Sequence, residues 1–248
     1  MIQLEDLHKS FGGNKVLRGV NLSINKGEII VLIGMSGYGK SVLLKHIVRL
    51  IRPDKGRVVI EGTDIGLLKG KEIAELRKRL GFLFQGSALF ESMTIFDNIA
   101  FPLREKTDLS REEIRRRVID QLDQVGLAGA EDKYPTQISG GMQKRTALAR
   151  ELIWHPEIML FDEPTTGLDP IIGHAILNLI EDLHRRMNFT GIIVTHEIHR
   201  VFKIVQRVAM IHEGVINALG TPDEILASED PIVKQFISGD TEGPISYR

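Results

Sequence analysis

Cysteine is absent from the 248 residues. That excludes disulfides and thiolate metal sites and is compatible with a reducing compartment. Net charge is nearly absent too: 32 Lys and Arg stand against 33 Asp and Glu, for a formal charge of −1. No global basic field exists to hold nucleic acid, so no nucleic-acid partner is expected. Apolar runs are short, and none approaches the roughly 20 residues that cross a bilayer. The start, Met1-Ile2-Gln3-Leu4-Glu5-Asp6, carries neither a basic n-region nor a long apolar h-region, so no signal peptide is expected. Any membrane role then has to come through a partner. Internal repeats and low-complexity segments are also missing. What remains is a chain 42% hydrophobic and 26% charged, enough for a sizeable core in one large domain or two small ones.

The stretch around which the rest is organised is Gly34-Met35-Ser36-Gly37-Tyr38-Gly39-Lys40-Ser41. It follows the apolar run Glu28 to Ile33, a buried-strand pattern, and precedes Val42 to Val48, a helical one. G-x-x-x-x-G-K-S between strand and helix is a P-loop. Glycines let successive N–H groups face one point, and the helix N-terminus adds partial positive charge. Lys40 is placed to reach β- and γ-phosphates, and the Ser41 hydroxyl suits Mg²⁺. A dinucleotide fingerprint fits poorly, because the glycines run G-x-x-G-x-G.

Upstream, Ile2 to Leu7 and Val16 to Ile24 read as strands of an antiparallel patch, with His8 to Gly13 as a loop between them. Phe11 in that loop has two open readings, a base-stacking aromatic or a core residue at a strand end. Downstream, Pro53 to Gly56 is a turn, Arg57 to Glu61 a strand, Lys69 to Arg79 a helix, and Leu80 to Phe84 a strand that stops at Gln85. Residues 86 to 150 then carry helical patterns with almost no strand signal. Ser110-Arg111-Glu112-Glu113 opens a helix as a capping box. From Ile158 the β–α alternation returns: a strand to Phe161, a helix from Pro170 to Met187 capped by Asp169, a strand from Gly191 to Thr195, a helix from Glu197, and a strand over Arg207 to Ile211. Thr221 to Glu224 is a further capping box. The tail from Asp230 reads as a disordered segment.

The fold class expected is α/β: a P-loop NTPase (RecA-like) core with an N-terminal antiparallel β patch and an inserted α-helical subdomain. The whole is expected to form one nucleotide-binding domain. Its nucleotide-binding core comprises residues 1–85 and 155–225, its helical subdomain 86–154, and its tail 226–248.

Other residues carry chemistry as well. Glu157 to Phe161 is an apolar strand ending in Asp162 and Glu163, which aims carboxylates at the crevice beyond the strand end. Asp162 suits Mg²⁺ or its water, and Glu163 can polarise an attacking water. Gln85 and His196 each end an apolar strand, within reach of a metal or a γ-phosphate. His196-Glu197-Ile198-His199 is not a zinc-protease motif, because Arg200 stands where the second His would be. In Ile138 to Arg145, Ser139 is an N-cap and Gly140-Gly141 open a helix to about Trp154. That is a second anion-suited helix N-terminus, without its own lysine.

Together these motifs resemble an ABC-transporter nucleotide-binding subunit over nearly the whole chain. Walker A is at Gly34–Ser41, a Q-loop at Gln85, the signature at Ser139-Gly140-Gly141, Walker B ends at Asp162, a D-loop lies at Gly167-Leu168-Asp169 and an H-loop at His196. The resemblance implies ATP and Mg²⁺ as ligands. It implies Glu163, His196 and Gln85 as catalytic groups, and Ser41, Gln85 and Asp162 as metal ligands. Nucleotide contacts would come from Phe11, Gly34, Ser36, Gly37, Tyr38, Gly39, Lys40, Ser41, Val42, Ser139, Gly140 and Gly141. It further implies a head-to-tail homodimer, in which each ATP lies between the P-loop of one copy and the signature of the other.

A finer resemblance is to the ATPase of Mla-type (Mce-associated) phospholipid transporters. It rests on Gly39 to His46, Leu89 to Thr94, Phe101-Pro102-Leu103, Met142 in the signature, and Phe236 to Gly239. This implies an integral membrane permease and an Mce-type substrate-binding protein as partners, and a peripheral position on the cytoplasmic face of the inner membrane. Phe84 to Leu103, where the family receives its permease's coupling helix, is richly apolar. Each of those residues is otherwise explained as subdomain core. The tail is implied to wrap a neighbouring subunit. Met142 replaces the commoner Gln, Tyr38 stands where a small or aliphatic residue is usual, and Arg49 where Gly is usual. Two rival functions share the motifs: the ATPase of a polar-solute importer, and a soluble ABC-type ATPase acting on nucleic acid or translation. The neutral charge and the transporter-like Q-loop region weigh against the latter.

Overall fold

A computed structural model describes residues 1–246. In chain order the elements are β1 (Ile2–Phe11), β2 (Asn14–Ile24), β3 (Ile29–Ile33), α1 (Lys40–Ile47), β4 (Lys55–Ile60), β5 (Thr63–Asp64), α2 (Lys71–Lys78), β6 (Leu80–Leu83), α3 (Ile95–Lys106) and α4 (Arg111–Gln124). After a 3₁₀ turn at Pro135–Gln137 come α5 (Gly140–Leu152), β7 (Ile158–Asp162), α6 (Pro170–Met187), β8 (Thr190–Val194), α7 (Ile198–Val201), β9 (Arg207–His212), β10 (Val215–Gly220), α8 (Pro222–Leu226) and α9 (Pro231–Ser238). The chain divides into two compact units, residues 1–76 with 189–248 and residues 77–188.

The first unit holds two sheets. One is antiparallel, in the order β2-β1-β4-β5. The other runs β10-β9-β3-β8, with β3 parallel to both β9 and β8 and the β10 hairpin arm antiparallel. Every residue of β3 and of β8 is buried. A strand covered on both faces has no polar side to show, which is why these segments read as unbroken apolar runs rather than alternating ones. β1 does alternate at its start, with Ile2 and Leu4 inward and Gln3 exposed.

Two expectations need correction here. The stretch His8 to Phe11 is strand, not loop; only Gly12-Gly13 turn the chain into β2. Its stiffening is long-range, since Asp54 accepts from Lys9 Nζ at 2.8 Å and from the Ser10 N–H at 2.7 Å. The tail is ordered in its first part. Asp230 caps α9 by accepting from the N–H groups of Ile232 and Val233. Gln235 then pins the chain as it folds back, its Oε1 accepting from the Ile245 N–H at 2.7 Å. Tyr247 and Arg248 lie outside the described residues.

The second unit pairs β6 with β7 in parallel and also contains α3, α4, α5 and α6, with α5 against β6. Its helical core gathers Ile99 and Leu103 of α3, Val118 and Leu122 of α4, and Ala149 and Ile153 at the end of α5. The helix starts follow local chemistry. Thr94, Ser110, Ser139 and Asp169 each accept a bond from a backbone N–H in the first turn. By contact, β6, β7 and α6 group with the helical segment in this unit.

Candidate functional site

The phosphate loop is built where β3 gives way to α1. Gly34, Gly37 and Gly39 all have positive φ, at 143°, 85° and 95°. Gly34 is the most constrained: a Cβ there would sit 2.3 Å from the Ile211 carbonyl oxygen. No side chain other than hydrogen lets the loop leave the sheet at that angle. Gly39 is the N-cap of α1, without a side-chain bond to the first turn and with no acidic residue in it. The N-cap of α1 therefore supplies no side-chain acceptor of its own, unlike the Ser, Thr and Asp caps of other helices, and a helix N-terminus of that kind suits an anion. Lys40 is buried, and its Nζ donates to the Gly34 carbonyl at 2.6 Å and to the Met35 carbonyl at 2.9 Å. Those bonds hold the ammonium inside the curl of the loop. Tyr38 packs edge-on against His212 with ring centroids 5.2 Å apart. Ser36 and Gly37 are exposed, while Ser41 and Val42 are half-buried.

β3 and β8 are parallel neighbours with Leu32 opposite Val194. Gly34 and His196 each lie two residues further on, so both leave the sheet at the same edge, and His196 is exposed there. Phe11 is 47% exposed at the end of the β1–β2 hairpin, with Lys9 Nζ 5.4 Å from its ring centre. That removes the core reading for Phe11. Arg49 occupies a left-handed position, φ 53°, which explains why Gly is usual there. Its guanidinium donates to the Leu68 and Gly66 carbonyls.

His46 anchors α1 from inside. It is 1% exposed, and its Nδ1 bonds to the Val42 carbonyl oxygen at 2.8 Å. Burial, with Lys9 acting in the same direction, holds its pKa below the ordinary 6.5. The neutral ring is therefore the folded form. Its contribution to stability is complete above pH 6.5 and is lost as pH falls toward the lowered folded value. Urea midpoints measured from pH 7 to pH 5 are expected to fall, and to fall less steeply in His46→Leu. An unchanged slope in the variant would contradict the assignment.

In the second unit the same register logic holds. Leu83 of β6 lies opposite Phe161 of β7, so Gln85 and Glu163 each stand two residues past the last pair. Asp162 ends β7 at 7% exposure. Glu163 takes a left-handed backbone, φ 51°, and accepts a bond from Thr166 Oγ1 at 3.1 Å. A non-glycine residue there is strained, and such strain concentrates at functional positions. Ser139 accepts from the Met142 N–H at 3.3 Å, and Ser139 and Gly140 are exposed. Gly141 is buried, with room only for hydrogen, since a Cβ would lie 2.5 Å from Ile172 Cγ2.

Three residues matter here that motif reading left aside. Lys144 lies one turn into the signature helix, buried, and its Nζ donates to the Gln85 carbonyl. Burial pushes its pKa down, while Asp162 and Glu163 act the other way. It thus ties the Gln85 loop to the helix that Ser139 opens, beside the two carboxylates. Arg150 donates to the Ala88 and Ser87 carbonyls, and the buried Asn98 donates to those of Phe90, Met93 and Thr94. The apolar stretch after Gln85 is divided accordingly. Ile95, Ile99, Ala100 and Leu103 are core, whereas Phe90 is 43% exposed. A lysine, an arginine and an asparagine on helices give no periodic signal; Lys144 and Arg150 are revealed only by partners 59 and 62 residues away, and Asn98 by carbonyls 4 to 8 residues before it.

The residues fit a nucleoside triphosphate: a helix N-terminus with glycine as its N-cap, a lysine held within the loop, and glycines at the positive-φ positions of the curl. Among the described residues no group of three His, Asp or Glu side chains could hold a metal by itself. A divalent ion there would therefore share its ligands with the substrate's phosphates. A parallel α/β sheet with this loop between strand and helix defines a P-loop nucleoside triphosphatase.

The comparisons with known proteins carry this further. The family model described as ABC transporter matches residues 17–166. The probable ribonucleotide transport ATP-binding protein mkl of Mycobacterium tuberculosis is 44% identical over 244 residues, covering 98% of this chain and 68% of its own. The intermembrane phospholipid transport system ATP-binding protein MlaF of Haemophilus influenzae is 40% identical over 248 residues, covering 100% of this chain and 94% of its own. Among solved structures, the dimeric post-hydrolysis state of the ATP-binding cassette MJ0796 bound to ADP and Pi matches with TM-score 0.81 at 32% identity, over 90% of this chain and 99% of that one. The chain belongs to the ABC transporter family, and it is an ATP hydrolase. No described helix is long and apolar enough to cross a membrane.

Proposed function

We propose that this protein is the ATP-hydrolysing subunit of a transporter that moves phospholipid through a membrane permease. The observation that carries the reading is the match, along its whole length, to a relative named for intermembrane phospholipid transport. It acts as a homodimer, peripheral to the cytoplasmic face of the inner membrane, with an Mce-type substrate-binding protein in the same assembly.

Each residue then has a role. The backbone of Gly34, Ser36, Gly37, Tyr38 and Gly39, with Ser41 and Val42, cradles the phosphates. Lys40 exchanges its bonds to the loop carbonyls for bonds to β- and γ-phosphate oxygens, which are charge-assisted and stronger. Phe11 stacks on the base from its exposed hairpin end. Ser41, Gln85 and Asp162 would hold Mg²⁺. Mg²⁺, when bound, neutralises charge on the β- and γ-phosphates. Glu163 holds the attacking water and takes its proton, and His196 bonds a γ-phosphate oxygen. Ser139, Gly140 and Gly141 cap the nucleotide held by the other copy. The exposed Phe90 and its neighbours, held by Arg150 and Asn98, receive the permease.

The ribonucleotide-transport name of the Mycobacterium relative favours a second reading, an ATPase serving a polar solute. One experiment tests both. The chain is co-purified with its membrane partners and reconstituted in liposomes carrying a labelled phospholipid and, separately, a labelled ribonucleotide. ATP-dependent movement of the lipid alone supports the proposal. Movement of the ribonucleotide alone overturns it.

A further inference from the structure

The basic run Arg115-Arg116-Arg117 is expected from sequence to be a solvated helix face, and the structure separates its members. Arg116 and Arg117 both bond to Glu113, at 2.8 and 2.7 Å, and together hold its carboxyl down at about 2. Arg115 points elsewhere. With Arg104 and Arg111 it lines a cavity of about 530 Å³ between the end of α3 and the first turn of α4, completed by Phe96, Thr107, Leu109 and Ile114.

Charge in this cavity is unbalanced. Arg104 pairs with Asp97 at 2.7 Å and lies 5.7 Å from the centre of the Phe96 ring. Arg111 and Arg115 have no ion-pair partner among the described residues. Glu131 is held below its usual range first by backbone N–H groups, its own and that of Gly129, and last by Arg115, from which it stands beyond ion-pair distance. So two carboxylates, Asp97 and the more distant Glu131, stand against three guanidinium groups. Arg111 and Arg115 are one helical turn apart, at i and i+4, which brings both onto the same face. Like charges gathered at one concavity repel, and a bound anion removes that cost. Guanidinium forks match phosphate oxygens in geometry, and Phe96, Leu109 and Ile114 supply an apolar wall for the rest of a ligand. The volume is that of a small-molecule site.

We propose that this cavity in the helical unit binds a phosphate ester of headgroup size, separately from the nucleotide. The ester belongs either to a free metabolite or to the headgroup of an anionic lipid, and the chemistry recognised is the same. None of the lining residues belongs to the phosphate loop, the signature or the β7 carboxylates, so the site stands or falls independently of the proposed transport function.

The test uses the full chain with its P-loop saturated by Mg-ADP. sn-Glycerol 3-phosphate is titrated calorimetrically, and co-sedimentation is measured with phosphatidylglycerol vesicles against phosphatidylcholine vesicles. Saturable binding of either probe is expected, weakened at least 10-fold in Arg111→Gln/Arg115→Gln, while that variant keeps its ATPase rate and so its fold. Binding of the soluble ester alone identifies a metabolite, and retention on phosphatidylglycerol vesicles identifies a lipid headgroup. Absence of binding to both probes, or equal binding by the variant, overturns the proposal. Arg116→Gln/Arg117→Gln, whose side chains are already paired to Glu113, serves as the charge-matched control, and an equal loss in it would reduce the effect to net charge.

Discussion

Glu163→Gln is expected to lower steady-state ATP turnover by about 100-fold or more, the scale on which a positioned general base acts. ATP affinity should stay within about threefold, because the amide keeps the size of the carboxylate and an oxygen for the Thr166 hydroxyl. The backbone there is left-handed, and the strain it stores is unaffected by the exchange. What disappears is the capacity to take a proton from water. With hydrolysis blocked and the nucleotide retained, the homodimer should accumulate. Light scattering at saturating ATP would then report a doubled mass. A monomer under those conditions contradicts the sandwich, and an undiminished rate contradicts the role of Glu163.

Lys40→Ala should act at the earlier step. The lysine sits at 8% exposure with its ammonium bonded to two loop carbonyls, already inside the cradle. Bonds from a charged donor to phosphate oxygens contribute about 1.5–3 kcal/mol each, so losing them lowers ATP affinity by roughly 10- to 100-fold or more. Alanine also leaves the Gly34 and Met35 carbonyls without that donor, which loosens the loop. Binding and turnover should both collapse. The two variants separate cleanly: one binds and does not turn over, the other does neither. Normal ATPase activity in Lys40→Ala would refute the assignment of the phosphate loop.

Much of the nucleotide machinery is legible in the linear chain because its signals are local. The phosphate loop needs glycines at fixed offsets from a lysine, and φ is positive at Gly34, Gly37 and Gly39. The helix α6 runs from Pro170 to Met187 as its Asp-Pro start predicts, since capping is a contest between neighbours two or three residues apart. β3, β7 and β8 announce themselves as continuous apolar runs because each is buried along its whole length.

Other features carried no such mark. β10 gives no periodic signal because its residues are mostly half-buried or exposed and gain their order by pairing with β9. The strand character of His8 to Phe11 depends on Asp54, and the folded tail depends on Gln235 reaching Ile245. Neither partner is inferable from spacing.

The order of motifs, the chemistry of the loop and the class of enzyme thus follow from residues that are neighbours in the chain. Such features depend on backbone dihedrals and caps, which are settled within a turn or two. The pairing of Lys144 with the Gln85 loop and the parting of Arg115 from Arg116 and Arg117 were decided by folding alone. So was the exposure of Phe11. These depend on burial and on the partner that a distant segment brings, and a side chain's charge has no effect on its surroundings until those surroundings have been assembled.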